Sequence, residues 1–221
     1  VKHNEFIKRK NSIKRLCASN GFIYDIKYIF PEKINNYRVW EKKKNNIMNI
    51  LKKKSYCWLV TGIAGFIGSN ILEELLKFDQ KVIGIDNFST GRITNLQSVK
   101  KNVGPKKWKN FKFFEGDLSN LNTCHKIIKN VDIVIHQAAR GSIPKSTKDP
   151  ISTNKDNITS FLNILTVSKD ENVKSFVYAS SSSVYGDSKK LPKTESNVGN
   201  VLSNYALTKK TNEEYARLFF D

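Results

Sequence analysis

From Tyr56 onward, short apolar runs of the kind that form strands alternate with longer amphipathic segments. The short runs predict five strands, at Cys57–Thr61, Lys81–Ile85, Phe111–Phe114, Val131–Ile135 and Ser175–Ala179. The amphipathic segments predict helices at Phe66–Lys77, Leu121–Lys129, Ile151–Lys169 and Ser203–Phe220. In the third of these helices, helical spacing places one apolar face on Ile158, Phe161, Leu162 and Leu165. Because right-handed crossovers join strands that alternate with helices, we predict an α/β fold with a doubly wound parallel sheet.

The first 54 residues do not extend this series. Their patterns are those of one more strand at Gly21–Phe30, a loop at Pro31–Tyr37 and a basic helix at Val39–Leu51. The one methionine, Met48, stands just before the basic segment that leads into the first strand of the sheet. We therefore divide the chain into an N-terminal extension, residues 1–47, and a main domain, residues 48–221.

Basic residues outnumber acidic ones, 38 against 20, which gives a formal net charge of +18. Most of this excess, +11, falls within residues 1–54. The basic runs there are interleaved with Asn and Ile and lack stacking aromatic residues, so we expect a solvated surface and no nucleic-acid partner. No stretch reaches the roughly 18 consecutive apolar residues of a membrane span, so we expect no membrane partner and an unexported protein.

Three cysteines, Cys17, Cys57 and Cys124, are far apart and form no C-x-x-C pair. This spacing argues against a disulfide framework and against a zinc site, so we expect no bound metal. A reducing cytoplasm fits such a chain best.

A glycine-rich loop follows the first predicted strand and opens the first predicted helix. Its sequence, Thr61-Gly62-Ile63-Ala64-Gly65-Phe66-Ile67-Gly68, has the form G-x-x-G-x-x-G. Glycines let the backbone approach a pyrophosphate, and a helix N-terminus supplies N–H donors and partial positive charge. Asp86, at the end of the second strand, is placed to accept hydrogen bonds from an adenosine ribose and to repel a 2′-phosphate. The loop and Asp86 together predict a site for NAD in preference to NADP.

Tyr205 and Lys209 lie four residues apart on the last predicted helix and therefore share one face. Tyrosine, whose ordinary pKa is about 10, acts as a base at neutral pH only where a cation stabilises its anion, and a close lysine supplies one. Four serines, Ser180–Ser183, follow the fifth strand, at the edge of a parallel sheet where ligands bind. A serine hydroxyl there can bind a sugar oxygen or relay its proton. Together these residues predict a catalytic site.

These residues resemble the motifs of the extended short-chain dehydrogenase/reductases, the NAD-dependent epimerase/dehydratase family. The matched segments are Thr61–Gly68, Asp86-Asn87, Gly116-Asp117-Leu118, Ala138-Ala139, Ser181–Gly186 and Tyr205–Lys209. Within that family the chain looks most like the UDP-N-acetylglucosamine 4-epimerases of bacterial surface-polysaccharide synthesis, through segments such as Gly141-Ser142-Ile143-Pro144. The resemblance implies a Rossmann-like fold, NAD as cofactor and a UDP-sugar as substrate, and a homodimer is compatible with it.

The resemblance also implies roles for the matched positions. Tyr205 is expected to be the base, Lys209 its modulator and Ser181 the serine that positions the sugar hydroxyl. The expected cofactor-binding residues are Gly62, Gly65, Phe66, Ile67, Gly68, Asp86, Asn87, Asp117, Leu118, Gln137, Ala138, Ala139, Tyr205 and Lys209. The expected sugar contacts are Ser142, Ser181, Ser182, Ser183 and Tyr205. The implied reaction moves a hydride from the sugar C4 to NAD⁺, turns the 4-keto sugar and returns the hydride to its other face.

The serine run distinguishes this interpretation from its closest competitor. Sugar-nucleotide 4,6-dehydratases carry T-D-E at the positions of Ser181–Ser183, because eliminating water needs an acid and a base. UDP-glucuronate decarboxylases usually keep a glutamate at the position of Ser183. Another sugar-nucleotide oxidoreductase or dehydratase, or an inactive NAD-binding fragment, stays an alternative.

Two residues depart from the epimerase pattern. Arg140 stands where an apolar residue is usual, and we expect it either to pair with a substrate phosphate or to point to solvent. Asn204 replaces the proline expected before Tyr205.

The two ends of the chain carry further expectations. Residues 1–40 resemble the C-terminal end of nucleotide-sugar dehydrogenases, so we predict that residues 1–47 are a remnant of a neighbouring dehydrogenase. At the other end the chain stops sixteen residues past Tyr205. The resemblance therefore leads us to expect that the later strands and the small domain that grips UDP are missing.

Overall fold

A computed structural model describes residues 49–220 of the chain. The predictions for residues 1–47 lie outside the described residues, as does most of the predicted helix Val39–Leu51; residues 49–53 are helical. The sheet and every helix labelled below belong to one compact unit, Ser55–Asp221. No described helix combines the length and the apolar character that crossing a bilayer requires.

Five strands and seven helices alternate through this unit. The strands are β1 (Cys57–Thr61), β2 (Lys81–Asp86), β3 (Phe111–Glu115), β4 (Ile133–His136) and β5 (Ser175–Tyr178). The helices are α1 (Phe66–Lys77), α2 (Ile93–Trp108), α3 (Leu121–Ile127), α4 (Ile143–Lys148), α5 (Pro150–Asn154), α6 (Ser160–Asp170) and α7 (Asn204–Phe220). A π-helical turn, Lys155–Thr159, joins α5 to α6, and a 3₁₀ turn, Ser182–Tyr185, follows β5.

All five strands are parallel and lie in the order β3-β2-β1-β4-β5. β1 is central, so that Val60 is paired with Gly84 of β2 on one side and with Ile135 of β4 on the other. The strand order reverses between β1 and β4, and ligands of open parallel sheets bind at the carboxyl ends of strands flanking such a reversal. The predicted fold class is confirmed.

The two faces of the sheet carry separate cores, as successive side chains of a strand point to opposite faces. On one face Val60 packs among residues of α1 and α2, including Leu72 and Leu96. On the other face Leu59 packs among residues of α3 and α6, including Ile127 and Ile164. Leu59 and Val60 are both 0% exposed, which explains why the central strand is apolar at consecutive positions. The sheet is therefore covered by helices on both sides.

Two helical predictions need correction. Helix α2 was not predicted, because its sequence is largely polar and buries only Leu96 and Val99, and because Gly104, at φ +76°, and Pro105 kink it near its end. The short helix α4 was not predicted either.

The predicted continuous helix Ile151–Lys169 is interrupted by the π-helical turn, which inserts an additional residue and rotates the faces before and after it relative to each other. Phe161 and Leu165 are buried as expected, but Ile158 and Leu162 are only half-buried. The fully buried residues include the polar Asn157, one position before Ile158. The apolar face read from helical spacing was therefore partly wrong.

Helix α7 is held against α6 and β5 by an aromatic cluster. Phe161, Leu165 and Ala216 form its buried part, and the ring of Tyr178 lies 5.1 Å from that of Phe161. This packing brings the first turns of α7 to the carboxyl ends of β4 and β5.

Candidate active site

The loop after β1 has no room for side chains at two of its glycines. Gly62 adopts φ +66°, a left-handed conformation, and a Cβ there would lie 2.8 Å from the amide nitrogen of Ala138. A Cβ at Gly68 would lie 2.2 Å from the carbonyl oxygen of Gly62. The N-cap of α1, Gly65, offers no side-chain cap, and the first turn holds no acidic residue. The first amides of α1 are thus presented without a side-chain acceptor, the arrangement that binds an anion.

Asp86 is held rigidly at the end of β2. Its carboxylate is buried, and one oxygen accepts a hydrogen bond from the amide of Ala64 at 2.9 Å, while the other accepts one from the amide of Phe88 at 2.8 Å. A Cβ at Gly91 would lie 2.8 Å from this carboxylate, so glycine keeps the space beside it. Each carboxylate oxygen retains further acceptor capacity, which suits the paired hydroxyls of a ribose.

A cavity of about 320 Å³ opens at this edge of the sheet. Twelve of the residues expected to bind the cofactor line it: Gly62, Gly65, Phe66, Ile67, Gly68, Asp86, Asn87, Asp117, Leu118, Gln137, Ala138 and Ala139. Ser89, Thr90 and Ser160 also line it and were not predicted. Tyr205 and Lys209, the other two expected cofactor residues, are not part of the lining. The cavity therefore unites the segments that follow β1, β2, β3 and β4.

A buried Thr61–His136 pair ties the ends of β1 and β4 together. The Thr61 hydroxyl oxygen accepts hydrogen bonds from the amides of Gln137 and Ala138, both at 3.1 Å, and lies 2.9 Å from Nδ1 of His136. With its acceptor sites used, Thr61 donates its hydrogen to Nδ1, which assigns the imidazole proton to Nε2. Burial, and to a smaller extent the Lys209 ammonium, lowers the pKa of His136 to about 3. His136 is therefore neutral at physiological pH.

Two ion pairs fix the wall of the cavity to the π-helical turn. Lys155 pairs with Asp117 at 3.1 Å, and the next residue, Asp156, pairs with Arg140 at 2.7 Å. Arg140 also lies 3.5 Å from Asp149. Arg140 thus lines the cavity instead of pointing to solvent, and its partners are carboxylates of this chain.

Lys209 is buried although it is a cation. It is 3% exposed, and its ammonium donates a hydrogen bond to the carbonyl of Ala179, just past β5, at 2.8 Å. Burial lowers the pKa of Lys209 to about 8. Tyr205 lies one turn earlier on α7 and is half-buried. α7 thus holds a desolvated cation one helical turn from a phenol.

The candidate sugar-contacting serines lie on two different loops. After β5, Ser181 caps the 3₁₀ turn, and its hydroxyl accepts hydrogen bonds from the amide and the hydroxyl of Ser183, at 3.2 and 2.8 Å. Ser182 is exposed beside it. After β4, Ser142 caps α4 at φ +103°, a strained conformation of the kind found at functional sites. Among the described residues, no hydrogen bond joins Ser142 or Ser181 to Tyr205.

Asn157 is a residue of the site that the sequence did not reveal. It is 1% exposed, and its side chain accepts a hydrogen bond from the Arg140 amide at 2.7 Å and donates one to the Thr208 hydroxyl at 3.0 Å. It thereby links the cavity wall to α7. A polar residue in a crossover helix predicts a solvated face, and no spacing rule announces the π-helical turn that buries it.

Comparison with known proteins gives this arrangement a family. A model described as the NAD dependent epimerase/dehydratase family matches residues 58–220. The chain belongs to this family. The fold and the glycine loop described above suit the NAD on which this family depends. The predicted family is confirmed.

Proteins that resemble the chain include 4-epimerases of UDP-sugars. A putative UDP-glucose 4-epimerase of Methanocaldococcus jannaschii is 37% identical over 163 residues, which are 73% of this chain and 50% of that protein. A UDP-N-acetylglucosamine 4-epimerase of Methanobrevibacter ruminantium, solved with UDP-N-acetylmuramic acid, aligns with a TM-score of 0.68 and 36% identity, over 75% of this chain and 51% of that one.

The UDP-glucose 4-epimerase of Bifidobacterium longum, solved with NAD⁺ and UDP, aligns with a TM-score of 0.67 and 33% identity, over 73% of this chain and 48% of that one. The chain thus spans about half the length of the relatives that it matches.

Proposed function

We propose that this chain carries the cofactor site and the catalytic residues of an NAD-dependent 4-epimerase of a UDP-hexose. The observation that carries the proposal is the cavity at the strand reversal, lined by twelve residues expected to bind a dinucleotide and flanked by α7 with Tyr205 and Lys209. Support also comes from relatives that are UDP-sugar 4-epimerases.

NAD fits the residues of the cavity. Gly62 and Gly68 leave backbone where side chains would clash, the uncapped N-terminus of α1 suits a pyrophosphate, and Asp86 offers acceptors for ribose hydroxyls while disfavouring a 2′-phosphate. When bound, NAD supplies the hydride acceptor and donor for C4 of the sugar.

The proton chemistry falls to α7 and the serine run. Tyr205 removes the proton from the sugar O4 and later returns it, and Lys209, one turn away on α7, is its modulator. Ser181 orients the same hydroxyl, since its own hydroxyl is held in the 3₁₀ turn by Ser183. Ser142, Ser182 and Ser183 complete the proposed sugar contacts.

The serine run also favours epimerisation over dehydration. Eliminating water across C5 and C6 needs an acid and a base beside those carbons, and Ser181–Ser183 carry no carboxyl group. We propose UDP-N-acetylglucosamine and UDP-N-acetylgalactosamine as the substrate pair, on the similarity to the M. ruminantium enzyme. A role in polysaccharide synthesis and a homodimer belong to the same proposal. So does a cytoplasmic location, which the free thiols of Cys57 and Cys124 fit.

The test is an assay of the full-length gene product with NAD⁺ and, separately, UDP-N-acetylglucosamine, UDP-glucose and UDP-glucuronate. Products are followed by the anomeric proton signals in NMR spectra and NADH by absorbance. We expect interconversion of the two N-acetylhexosamine nucleotides without net NADH. Tyr205→Phe is expected to abolish it, whereas Tyr215→Phe, a matched control in the aromatic cluster of the same helix, keeps it.

A 4-keto-6-deoxy product or net consumption of NAD⁺ would contradict the epimerase proposal. Full turnover by Tyr205→Phe would contradict its assignment as the base. If the protein converts only UDP-glucose or UDP-glucuronate, the proposed 4-epimerisation holds and the proposed substrate pair is wrong.

A further inference from the structure

The short helix α4 connects the proposed sugar contact Ser142 to the start of α7. Ser142 is the N-cap of α4, and its carbonyl accepts a hydrogen bond from the amide of Ser146, one turn later, at 3.0 Å. α4 packs against α7. Ser142 also holds a left-handed backbone conformation that costs a non-glycine residue energy and persists only where neighbouring structure maintains it.

Ser146 makes the connection to Tyr205 itself. Its side chain is 0% exposed, and its hydroxyl donates a hydrogen bond to the carbonyl of Ile143 at 2.8 Å and accepts one from the amide of Tyr205 at 3.2 Å. Amides in the first turn of a helix have no partner within the helix, so a hydroxyl from α4 does here what an N-cap side chain usually does. The normal cap, Ser203, serves the next amide, that of Ala206.

Asn204 adds a second hydrogen bond between α4 and the first turn of α7. Its side-chain amide donates a hydrogen bond to the carbonyl of Ser146 at 3.1 Å. A proline, which the family resemblance leads one to expect at this position, has no side-chain donor. On the other side of Tyr205, its carbonyl accepts a hydrogen bond from the Thr208 hydroxyl at 2.8 Å. Both peptide groups of Tyr205 are therefore held in place.

We propose that Ser146 is a positioning residue that, with Asn204, fixes the backbone of Tyr205 relative to the Ser142 turn. The base and a proposed sugar contact are then set by one short helix, so that a shift of α4 moves both. This inference rests on the proposed role of Tyr205 as the base. Ser146 contacts neither the sugar nor the cofactor and acts through Tyr205.

The experiment compares Ser146→Ala with Ser168→Ala in the full-length gene product. Ser168 is a matched control, because it is also buried and its hydroxyl donates to a helix carbonyl, that of Ile164, at 2.6 Å, but it lies in α6. We expect Ser146→Ala to lower kcat about tenfold or more while the Kd for NAD⁺ stays within about twofold, because misplacing a reacting group costs turnover rather than cofactor binding. Ser168→Ala should leave kcat unchanged.

A second measurement does not depend on turnover. The amide of Tyr205 loses its acceptor in Ser146→Ala and should exchange its hydrogen faster in NMR spectra of this chain, whereas in Ser168→Ala it should not. Unchanged kcat together with unchanged exchange in folded Ser146→Ala overturns the inference. If Ser146→Ala does not fold, the test uses Asn204→Ala, which removes an exposed side chain. A fall in kcat of this variant supports the inference, and a wild-type kcat overturns it.

Tyr205→Phe in the same assay distinguishes the positioning role of Ser146 from the role of Tyr205 as the base. If Tyr205→Phe is inactive while Ser146→Ala and Asn204→Ala are fully active, only the positioning role fails. If Tyr205→Phe is fully active, the proposed base itself fails.

Discussion

Replacing Lys209 with methionine should stabilise the protein at neutral pH while removing its activity. Lys209 is 3% exposed, and the pKa of its ammonium falls from an ordinary 10.5 to about 8. Because each pKa unit corresponds to about 1.4 kcal/mol, the charged lysine costs the folded state roughly 3 kcal/mol at pH 7. Lys209→Met also gives up the hydrogen bond to Ala179, worth roughly 2 kcal/mol because its donor is charged. The expected net gain at pH 7 is therefore about 1 kcal/mol.

This gain should shrink as the pH rises. Between pH 8 and pH 10.5 the unfolded chain binds more protons at this lysine than the folded chain does, so the wild-type protein gains stability with pH. From pH 7 to pH 9.5 the advantage of Lys209→Met should fall by roughly 2 kcal/mol. Urea unfolding of the 221-residue chain followed by circular dichroism measures both values, with Lys210→Met as the control for removing a lysine from the same helix.

Two results would refute this reasoning. One is a Lys209→Met protein that is less stable than the wild type at pH 7. The other is a stability difference that does not change between pH 7 and pH 9.5, since it would mean that the ammonium is not desolvated by folding. The same variant should lose turnover in the full-length product, because Lys209 is the proposed modulator of Tyr205. Stability and activity are thus expected to move in opposite directions at one residue.

Three further predictions concern the cofactor edge of the sheet. Gly68→Ala should destabilise the chain by about 2 kcal/mol or more in urea unfolding, since its Cβ would meet the Gly62 carbonyl, whereas Gly141→Ala, with open space around it, should stay within about 0.5 kcal/mol. Because His136 is buried and neutral, the free energy of unfolding of the wild type should fall as the pH falls from 6.5 towards 3, by up to about 1.4 kcal/mol per pH unit. In that range only the unfolded chain protonates this imidazole. His136→Gln should show a shallower acid dependence, and equal slopes would argue against the buried imidazole. Asp86→Asn should weaken NAD⁺ binding about tenfold, as measured by calorimetry, and should reduce the ratio of NAD⁺ affinity to NADP⁺ affinity. The reason is that the amide presents a donor where the carboxylate accepts. An unaltered affinity would show that Asp86 does not bind the ribose.

The elements that could be predicted from sequence are those specified by local pattern. β1 to β4 and the glycine loop follow from apolar runs and from glycines at Gly62 and Gly68, where backbone approaches backbone too closely for a Cβ. The residues that escaped prediction depend on tertiary packing. Asn157 is buried because a π-helical turn rotates it inward, and Thr61 matters through hydrogen bonds to amides more than 70 positions away. Spacing along the chain carries no information about such contacts.

Lys209 shows a different limit of prediction from sequence. Its residue type and its place on the helix were predicted, but its burial and its lowered pKa were not. The Y-x-x-x-K spacing places it on one face of α7 with Tyr205, whereas its burial follows from the packing of α7 against α6 and β5. A lysine in the same motif on an exposed helix would keep its ordinary solvation, and its charge would act less on neighbouring groups because water screens it. Chemistry read from a motif therefore depends on the aromatic cluster of Phe161 and Tyr178, which the motif does not include.

The candidate site has two parts that rest on different elements. The cavity is built from the segments after β1 to β4, whereas Tyr205 and Lys209 reach the site on α7 from the side of β5. Two polar connections hold α7 in place: Asn157 joins the cavity wall at Arg140 to Thr208, and Ser146 joins α4 to Tyr205. Because Ser146 bonds the amide of Tyr205 and the Thr208 hydroxyl bonds its carbonyl, disturbing either connection should change the placement of Tyr205, the proposed base.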